Sequence, residues 1–142
     1  MIPDVIQQKI LIIKNCLRQI QLTTNSDPEK LDTQLIQDAF VLNVQRSVQA
    51  AIDISSALIS HLHLGIPVSY KNGFELLHKH KIIGDHLNKS MQSRCGFRNI
   101  AIHEYRKLDK NILKSILTKD LKDLEDFYLV IIAYFEPLTP NP

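Results

Sequence analysis

The chain has 142 residues, 44% of them hydrophobic, and a formal net charge of +2. This length predicts one domain, residues 1–142, that buries its core without a metal or disulfide to support it. The nearly balanced charge excludes a broad basic surface, so any nucleic-acid binding would depend on a local patch. The longest apolar run, residues 128–135, is too short to cross a bilayer, and residues 1–10 lack a signal-peptide pattern. We therefore expect a cytoplasmic protein with no membrane partner, in which Cys16 and Cys95 are free thiols rather than a disulfide.

The first half of the sequence has the period of amphipathic helices. One helix is predicted over residues 4–23. The segment NSDPEKLD then interrupts it, with Asp27 as a cap and Pro28 in a first helical turn. A longer helix is predicted over residues 33–64, ended by Gly65. The residues expected on the apolar sides of these two helices are Val5, Ile6, Ile10, Ile13, Leu17, Ile20, Leu35, Ala39, Leu42, Ala50, Ile54, Ala57 and Leu58.

The second half continues the same pattern. A short helix fits residues 73–80, another runs from Gly84 toward His103, and the last spans residues 109–135 with a break near Thr118. The apolar side of the last helix is expected to contain Ile112, Ile116, Leu121, Leu124, Phe127, Ile131 and Tyr134. No segment alternates with a strand period over a useful length. The sequence therefore predicts an all-α fold, a bundle of about five helices.

One short stretch, GFRNIAIHEYRKLD, collects polar groups of four kinds on a helix. Asn99 and His103 are four residues apart and share a face, so the amide can hold one ring nitrogen. Arg98 and Tyr105 are seven apart and also lie on one side. Arg98 and His103, however, are five apart, or about 140° around the axis. A helix end near His103, or a second copy of the chain, would be needed to bring these two groups together.

These residue types fit the cleavage of RNA, which carries its own nucleophile in the 2′-hydroxyl. An imidazole titrates near neutral pH and can move a proton, while an arginine offers a planar, charged fork to a phosphate. No metal or cofactor is required. One histidine does not easily serve as both base and acid in a single step. A symmetric dimer would supply two, which makes a homodimer or larger assembly a mechanistic expectation.

The stretch RNIAIHEY fits the R-X4-H-X-Y motif of HepT-like proteins, a branch of the HEPN superfamily. The segments VQAAIDIS, GIPVSYKNGFELL and LKDLEDF are also similar to that family, so the resemblance covers roughly residues 30 to 130. It implies a HEPN-like helical bundle. It also implies the toxin of a type VII toxin–antitoxin pair, a metal-independent endoribonuclease that cleaves tRNA or mRNA at a homodimer cleft.

The resemblance also implies a role for each motif residue. Arg98 and His103 would be catalytic, and Asn99 would be the polar residue that follows the arginine in many such motifs. Tyr105 would be the tyrosine to which a partner antitoxin, an MntA-like minimal nucleotidyltransferase, transfers AMP. A bulky anionic group two residues from His103 would block RNA entry and silence the toxin.

Several other residues are candidates with weaker support. Arg94, Arg106 and Lys107 surround the motif and would form a phosphate-binding rim, although such cations are usually only solubilising. Asp53 would be an orienting carboxylate or a solvated surface residue. Gln49 is a departure, because many relatives have an acidic residue there, and any structural role of that acid is in doubt in this chain.

Two other interpretations compete with a nuclease. In one, the chain is a non-catalytic helical binding module that docks onto a nucleotidyltransferase and is modified by it. In the other, it is a structural bundle with no chemistry, because an arginine and a histidine on a polar helix stripe are usually solvated. His78 and His80 do not favour a metal protein, because residues two apart on a helix point in different directions.

Overall fold

Over residues 1–105 and 108–136, which the structure describes, this computed structural model contains α-helices and no β-strand. The α-helices are α1 (Asp4–Thr24), α2 (Gln34–His61), α3 (Tyr70–Lys79), α4 (Asp85–His103), α5 (Lys110–Ser115) and α6 (Leu121–Phe135). A short 3-10 helix, Pro28–Asp32, precedes α2, and a π-helical turn, Ile116–Asp120, joins α5 to α6. The all-α prediction is confirmed, as is the predicted break near Thr118.

Capping residues explain where several helices begin. Asp27 accepts a hydrogen bond from the backbone N–H of Glu29 at 3.0 Å, so it caps the 3-10 helix as predicted. Ser69 accepts one from the N–H of Asn72 at 3.0 Å. This cap starts α3 at Tyr70, three residues earlier than the sequence pattern indicated.

The end of α2 also differs from the prediction. The helix ends at His61 rather than near residue 64, because His63 already has a left-handed φ of 54°. Gly65, with a φ of 121°, then turns the chain further in a conformation that only glycine adopts easily. The loop that follows leads into α3 and lies beside α4.

The core lies around α2, which contacts α1, α3, α4 and α6. Phe74 of α3 and Phe127 of α6 are fully buried and pack edge to face, with ring centroids 5.7 Å apart. The predicted apolar side of α2 is partly wrong, because Leu35 is 79% exposed and Leu42 is 51% exposed. The residues of α2 that the core buries are Phe40, Val41, Val44, Val48, Ala50, Ala51, Ile52, Ile54, Leu58 and Ile59. Elsewhere, Val5, Ile112 and Tyr134 are also more exposed than predicted.

Both cysteines, Cys16 and Cys95, are buried free thiols, as the sequence predicted. Burial raises the pKa of Cys95 to about 11, against the opposing effect of the nearby Lys71 and Arg98 charges. Among the described helices, none combines the length and the apolar character that a membrane span requires.

Candidate functional site

Arg98 lies on α4 and is held by contacts on three sides. Its Nε donates a hydrogen bond to Oε1 of Gln49 on α2 at 2.6 Å, and one terminal nitrogen donates to Oδ1 of Asn99 at 3.2 Å. The guanidinium carbon lies 5.3 Å from the ring centroid of Tyr70, at the start of α3. The side chain remains partly exposed. Three helices therefore fix the direction of a charged fork whose remaining donors can bind an anion.

The contact from Gln49 continues into α1 through two further residues. Nε2 of Gln49 donates to Oδ1 of Asp53 at 2.9 Å, and the other carboxylate oxygen of Asp53 pairs with Nζ of Lys9 at 2.9 Å. Asp53 therefore orients Gln49, which in turn holds Arg98. The sequence indicated Asp53 but not this function of Gln49. The spacing of four residues along α2 was the available signal.

His103 is the last residue of α4, and its side chain is exposed. Five residues separate it from Arg98, which corresponds to about 140° around the helix and about 7.5 Å along its axis. The predicted contact between Asn99 and His103 is not seen. Oδ1 of Asn99 accepts from Arg98 instead, and no hydrogen bond of His103 is found among the described residues. Within one chain, the arginine and the imidazole thus face different directions.

Tyr105 follows the end of α4 and reaches back to the start of α2. Its hydroxyl donates a hydrogen bond to the carboxylate of Asp38, and Nε2 of Gln34 donates to the same oxygen at 2.7 Å. Burial, reinforced by the Asp38 carboxylate, raises the pKa of Tyr105 to about 12. The bonds from Tyr105 and Gln34 lower the pKa of Asp38. Nothing in the sequence pattern indicated Asp38 as a partner of the motif tyrosine.

Of the three residues predicted to form a phosphate-binding rim, the structure describes Arg94. The Arg94 side chain is 13% exposed, and its terminal nitrogen lies 3.0 Å from Oδ2 of Asp120 in the π-helical turn. Arg94 therefore connects α4 to the turn before α6, because a nearly buried cation requires a paired anion. Arg106 and Lys107 lie outside the described residues.

The functional groups at the site are those of its side chains. In the part of the chain that is described, no three histidine, cysteine, aspartate or glutamate side chains are grouped to hold a metal ion. A cavity of about 500 Å³ opens beside Asn99 and Tyr70, between α2, α3 and α4. The site therefore offers a fixed arginine, an imidazole, an amide and a phenol, next to a space large enough for a small ligand.

Known proteins with a similar sequence are ribonucleases, which agrees with the arginine and the histidine found at this site. The profile of the family described as "Ribonuclease HepT-like" matches residues 13–131. The chain is 35% identical over 130 residues to the mRNA nuclease HepT of Shewanella oneidensis, covering 92% of this chain and 98% of that protein. It is 28% identical over 113 residues to the tRNA nuclease HepT of Aphanizomenon flos-aquae, covering 77% of this chain and 75% of that protein.

The fold is also similar to that of a solved toxin. A structure of the tri-AMPylated Shewanella oneidensis HEPN toxin in complex with an MNT antitoxin superimposes with a TM-score of 0.87. The two chains are 34% identical, and the match covers 93% of this chain and 99% of the toxin. At this identity and coverage, the similarity extends to the motif helix and to the helices that position it.

Proposed function

Because the chain belongs to the HepT-like family of ribonucleases, we propose that it is an endoribonuclease toxin of a type VII toxin–antitoxin pair. Its relatives are named as nucleases of mRNA or of tRNA, and its substrate is accordingly RNA of one of these classes. The observation that carries the proposal is the fixed guanidinium of Arg98. It is on the same helix as His103, in a chain that covers nearly the whole length of a ribonuclease relative.

The cleavage step uses the RNA's own 2′-hydroxyl as the nucleophile. His103 removes its proton as the oxygen attacks the adjacent phosphorus, and the bond from phosphorus to the 5′-oxygen breaks. Arg98 binds the non-bridging oxygens and stabilises the negative charge that develops on them. Asn99 and Gln49 keep the guanidinium in the required direction. The products are a 2′,3′-cyclic phosphate and a 5′-hydroxyl end, once the leaving oxygen has received a proton.

That leaving-group proton is best supplied by a second copy of the chain. One histidine does not easily serve as both base and acid in a single step, and within one chain His103 faces a different direction from Arg98. Two copies of the chain would bring both histidines to the phosphate that Arg98 binds. A homodimer cleft would place the partner's histidine on the opposite side of the phosphate. Support comes from exposed apolar side chains on the same side as the site: Leu35 and Leu42 lie on the α2 face that contains Asp38 and Gln49, and Ile102 lies one turn beyond Arg98.

An MntA-like nucleotidyltransferase antitoxin is the proposed partner, with Tyr105 as the residue that receives AMP. The Tyr105 side chain is 39% exposed, so a partner enzyme can reach it once its hydroxyl leaves Asp38. Each added phosphate brings negative charge close to His103, two residues from Tyr105, and this charge repels the RNA backbone. We propose a cytoplasmic location, because the RNA substrate and the nucleotide that donates AMP are found there.

The test compares bacterial cultures that express the wild type, His103→Ala and a matched variant, His86→Ala. His86 is an exposed histidine on the same helix, with 82% of its side chain accessible. We expect the wild type and His86→Ala to arrest growth and to leave new 5′-hydroxyl RNA ends. Soluble, folded His103→Ala should do neither. If both proteins cut RNA alike, His103 is not the catalytic residue. If neither the wild type nor His103→Ala cuts RNA, the chain is better described as a binding module modified by a nucleotidyltransferase.

A further inference from the structure

Most residues that line the cavity beside the motif have no part in the cleavage step. Its volume is about 500 Å³, within the range of small-molecule sites, and α2, α3 and α4 all contribute to its walls. Ile52, Pro67 and Val68 give it apolar surfaces, while Ser56 and Ser69 add hydroxyl groups. The cavity therefore suits a flat, largely apolar ligand that also has hydrogen-bonding edges.

Two residues connect this cavity directly to Arg98. Asn99 and Tyr70 both line it, and both contact the guanidinium, Asn99 through a hydrogen bond of 3.2 Å and Tyr70 through its ring. Because the Asn99 carbonyl oxygen accepts from Arg98, the hydrogen-bond donors of its amide nitrogen remain for another group. A phosphate on Arg98 would thus have its adjoining sugar and base within reach of the cavity.

The charges around the cavity favour a ligand with an uncharged part inside the cavity and an anionic group outside it. Cys95 lies in its wall, and burial raises the pKa of this thiol to about 11, so that it stays uncharged at neutral pH. Lys71 is exposed at the lining, and its charge, like that of Arg98, is close enough to act on Cys95. A nucleoside with its phosphate outside, on the two cations, matches this distribution.

A buried hydroxyl in the cavity wall provides an independent observation. Ser55 is only 3% exposed, and its Oγ has no hydrogen-bond partner among the described residues. Gly73 permits the close approach of α3 that buries it, since a Cβ atom there would stand 3.0 Å from this oxygen. Buried hydroxyls are nearly always paired, so this unpaired one marks a place in the cavity wall where a bound group could supply the partner.

We propose that this cavity binds the base of the nucleotide next to the scissile phosphate, and that it gives the nuclease its sequence preference. This inference rests on the proposed function and adds a base-reading subsite to it. Phosphate contacts position an RNA, whereas contacts to base edges specify its sequence. The Asn99 amide donates to an acceptor on the base edge, with the hydroxyls of Ser56 and Ser69 completing the contacts.

The adenine of an AMP group on Tyr105 is a less suitable occupant. The hydroxyl of Tyr105 lies at Asp38, and the first cavity residue on α2, Ile52, is 14 residues further along that helix. At 1.5 Å per residue this is about 21 Å, farther than a single mononucleotide extends. The base of a bound RNA strand, by contrast, starts from a phosphate at Arg98, next to the cavity.

The experiment fills the mouth of the cavity and measures sequence preference. Ser56 is exposed on α2 and lines the cavity, whereas Ser60, one turn later, is exposed and does not line it. Purified wild type, Ser56→Phe and Ser60→Phe are incubated with a random-sequence RNA pool, and the base frequencies on both sides of each cut are sequenced. We expect a base preference next to the cut in the wild type and in Ser60→Phe. In Ser56→Phe, cleavage of the preferred sequence should fall about tenfold or more and the preference should disappear.

Two outcomes would overturn the proposal: no base preference in the wild type, or an unchanged rate and preference in Ser56→Phe. A second measurement separates these outcomes from failure of the nuclease assignment. Each of the four nucleoside 3′-monophosphates is titrated into the 15N-labelled wild type, with the amide resonances of Val68 and Asn99 followed. Shifts at these residues in a protein that cuts no RNA would keep the nucleotide cavity and reject the nuclease. RNA cleavage without such shifts for any of the four nucleotides would keep the nuclease and reject the nucleotide cavity.

Discussion

Replacing Gln49 tests whether the arginine must be held by its neighbour to act. Gln49→Ala removes the acceptor of the 2.6 Å bond from Arg98 and leaves the Asp53–Lys9 pair intact. A hydrogen bond to a charged group contributes about 1.5–3 kcal/mol. At about 1.4 kcal/mol per tenfold in rate, losing all of it from the transition state would lower kcat/KM by about 10- to 150-fold. Because Arg98 retains Asn99 and Tyr70, we expect the lower end, about tenfold.

The assay measures initial cleavage rates on a short RNA together with thermal unfolding. We expect the loss mainly in kcat, because a misdirected arginine still attracts the phosphate but no longer stabilises the transition state. Gln49→Glu keeps an acceptor for Arg98 but loses the N–H that Asp53 accepts, so it should lose less activity than Gln49→Ala. Gln45→Ala, one turn earlier on α2, is the matched control. A folded Gln49→Ala that cleaves at the wild-type rate would refute this reasoning.

Three further predictions concern titration, reactivity and stability. In an ultraviolet pH titration, the phenol of Tyr105 should ionise near pH 12, and its signal is identified by comparison with Tyr105→Phe. In Asp38→Asn, the same phenol should ionise at a lower pH. Because its pKa rises from 10.0 on folding, the contribution of this phenol to stability is complete below pH 10 and is lost as the pH approaches 12. Asp38, whose pKa falls from 3.8, loses its contribution as the pH drops below that value, and an unchanged Tyr105 titration in Asp38→Asn would contradict both assignments. Cys95 should resist a thiol reagent at neutral pH until denaturant unfolds the chain, and rapid labelling of the native protein would show that the thiol is neither buried nor neutral. Phe127→Ala should lower the free energy of unfolding by about 3–5 kcal/mol in a denaturant titration, whereas the exposed Leu35→Ala should change it by less than about 0.5 kcal/mol; equal effects would disprove the observed core.

Much of the helical architecture was predictable from local signals. The start of α4 after Gly84, its end at His103 and the break near Thr118 agree with the structure, because periodicity and turn residues act within a few positions. The buried face of α2 was harder. Hydrophobic residues occur on more than one side of this helix, and several neighbouring helices cover it. A stripe through Leu35 and Leu42 fits the helical period as well as the buried stripe does.

The site was predictable as a motif but not as a set of contacts. The R-X4-H-X-Y spacing indicated Arg98 and Tyr105, yet their partners Gln49 and Asp38 are distant in the sequence and become neighbours only when α4 packs against α2. Arg94 shows the opposite case. Its charge and position suggested a surface role, and only the fold reveals that Asp120 is beside it.

The contacts that run from Arg98 through Gln49 and Asp53 end at Lys9, on a helix that contains no motif residue. Lys9 also precedes the segment, residues 13–131, that matches the family profile. How firmly this chain holds its arginine therefore depends in part on its first helix, outside the motif.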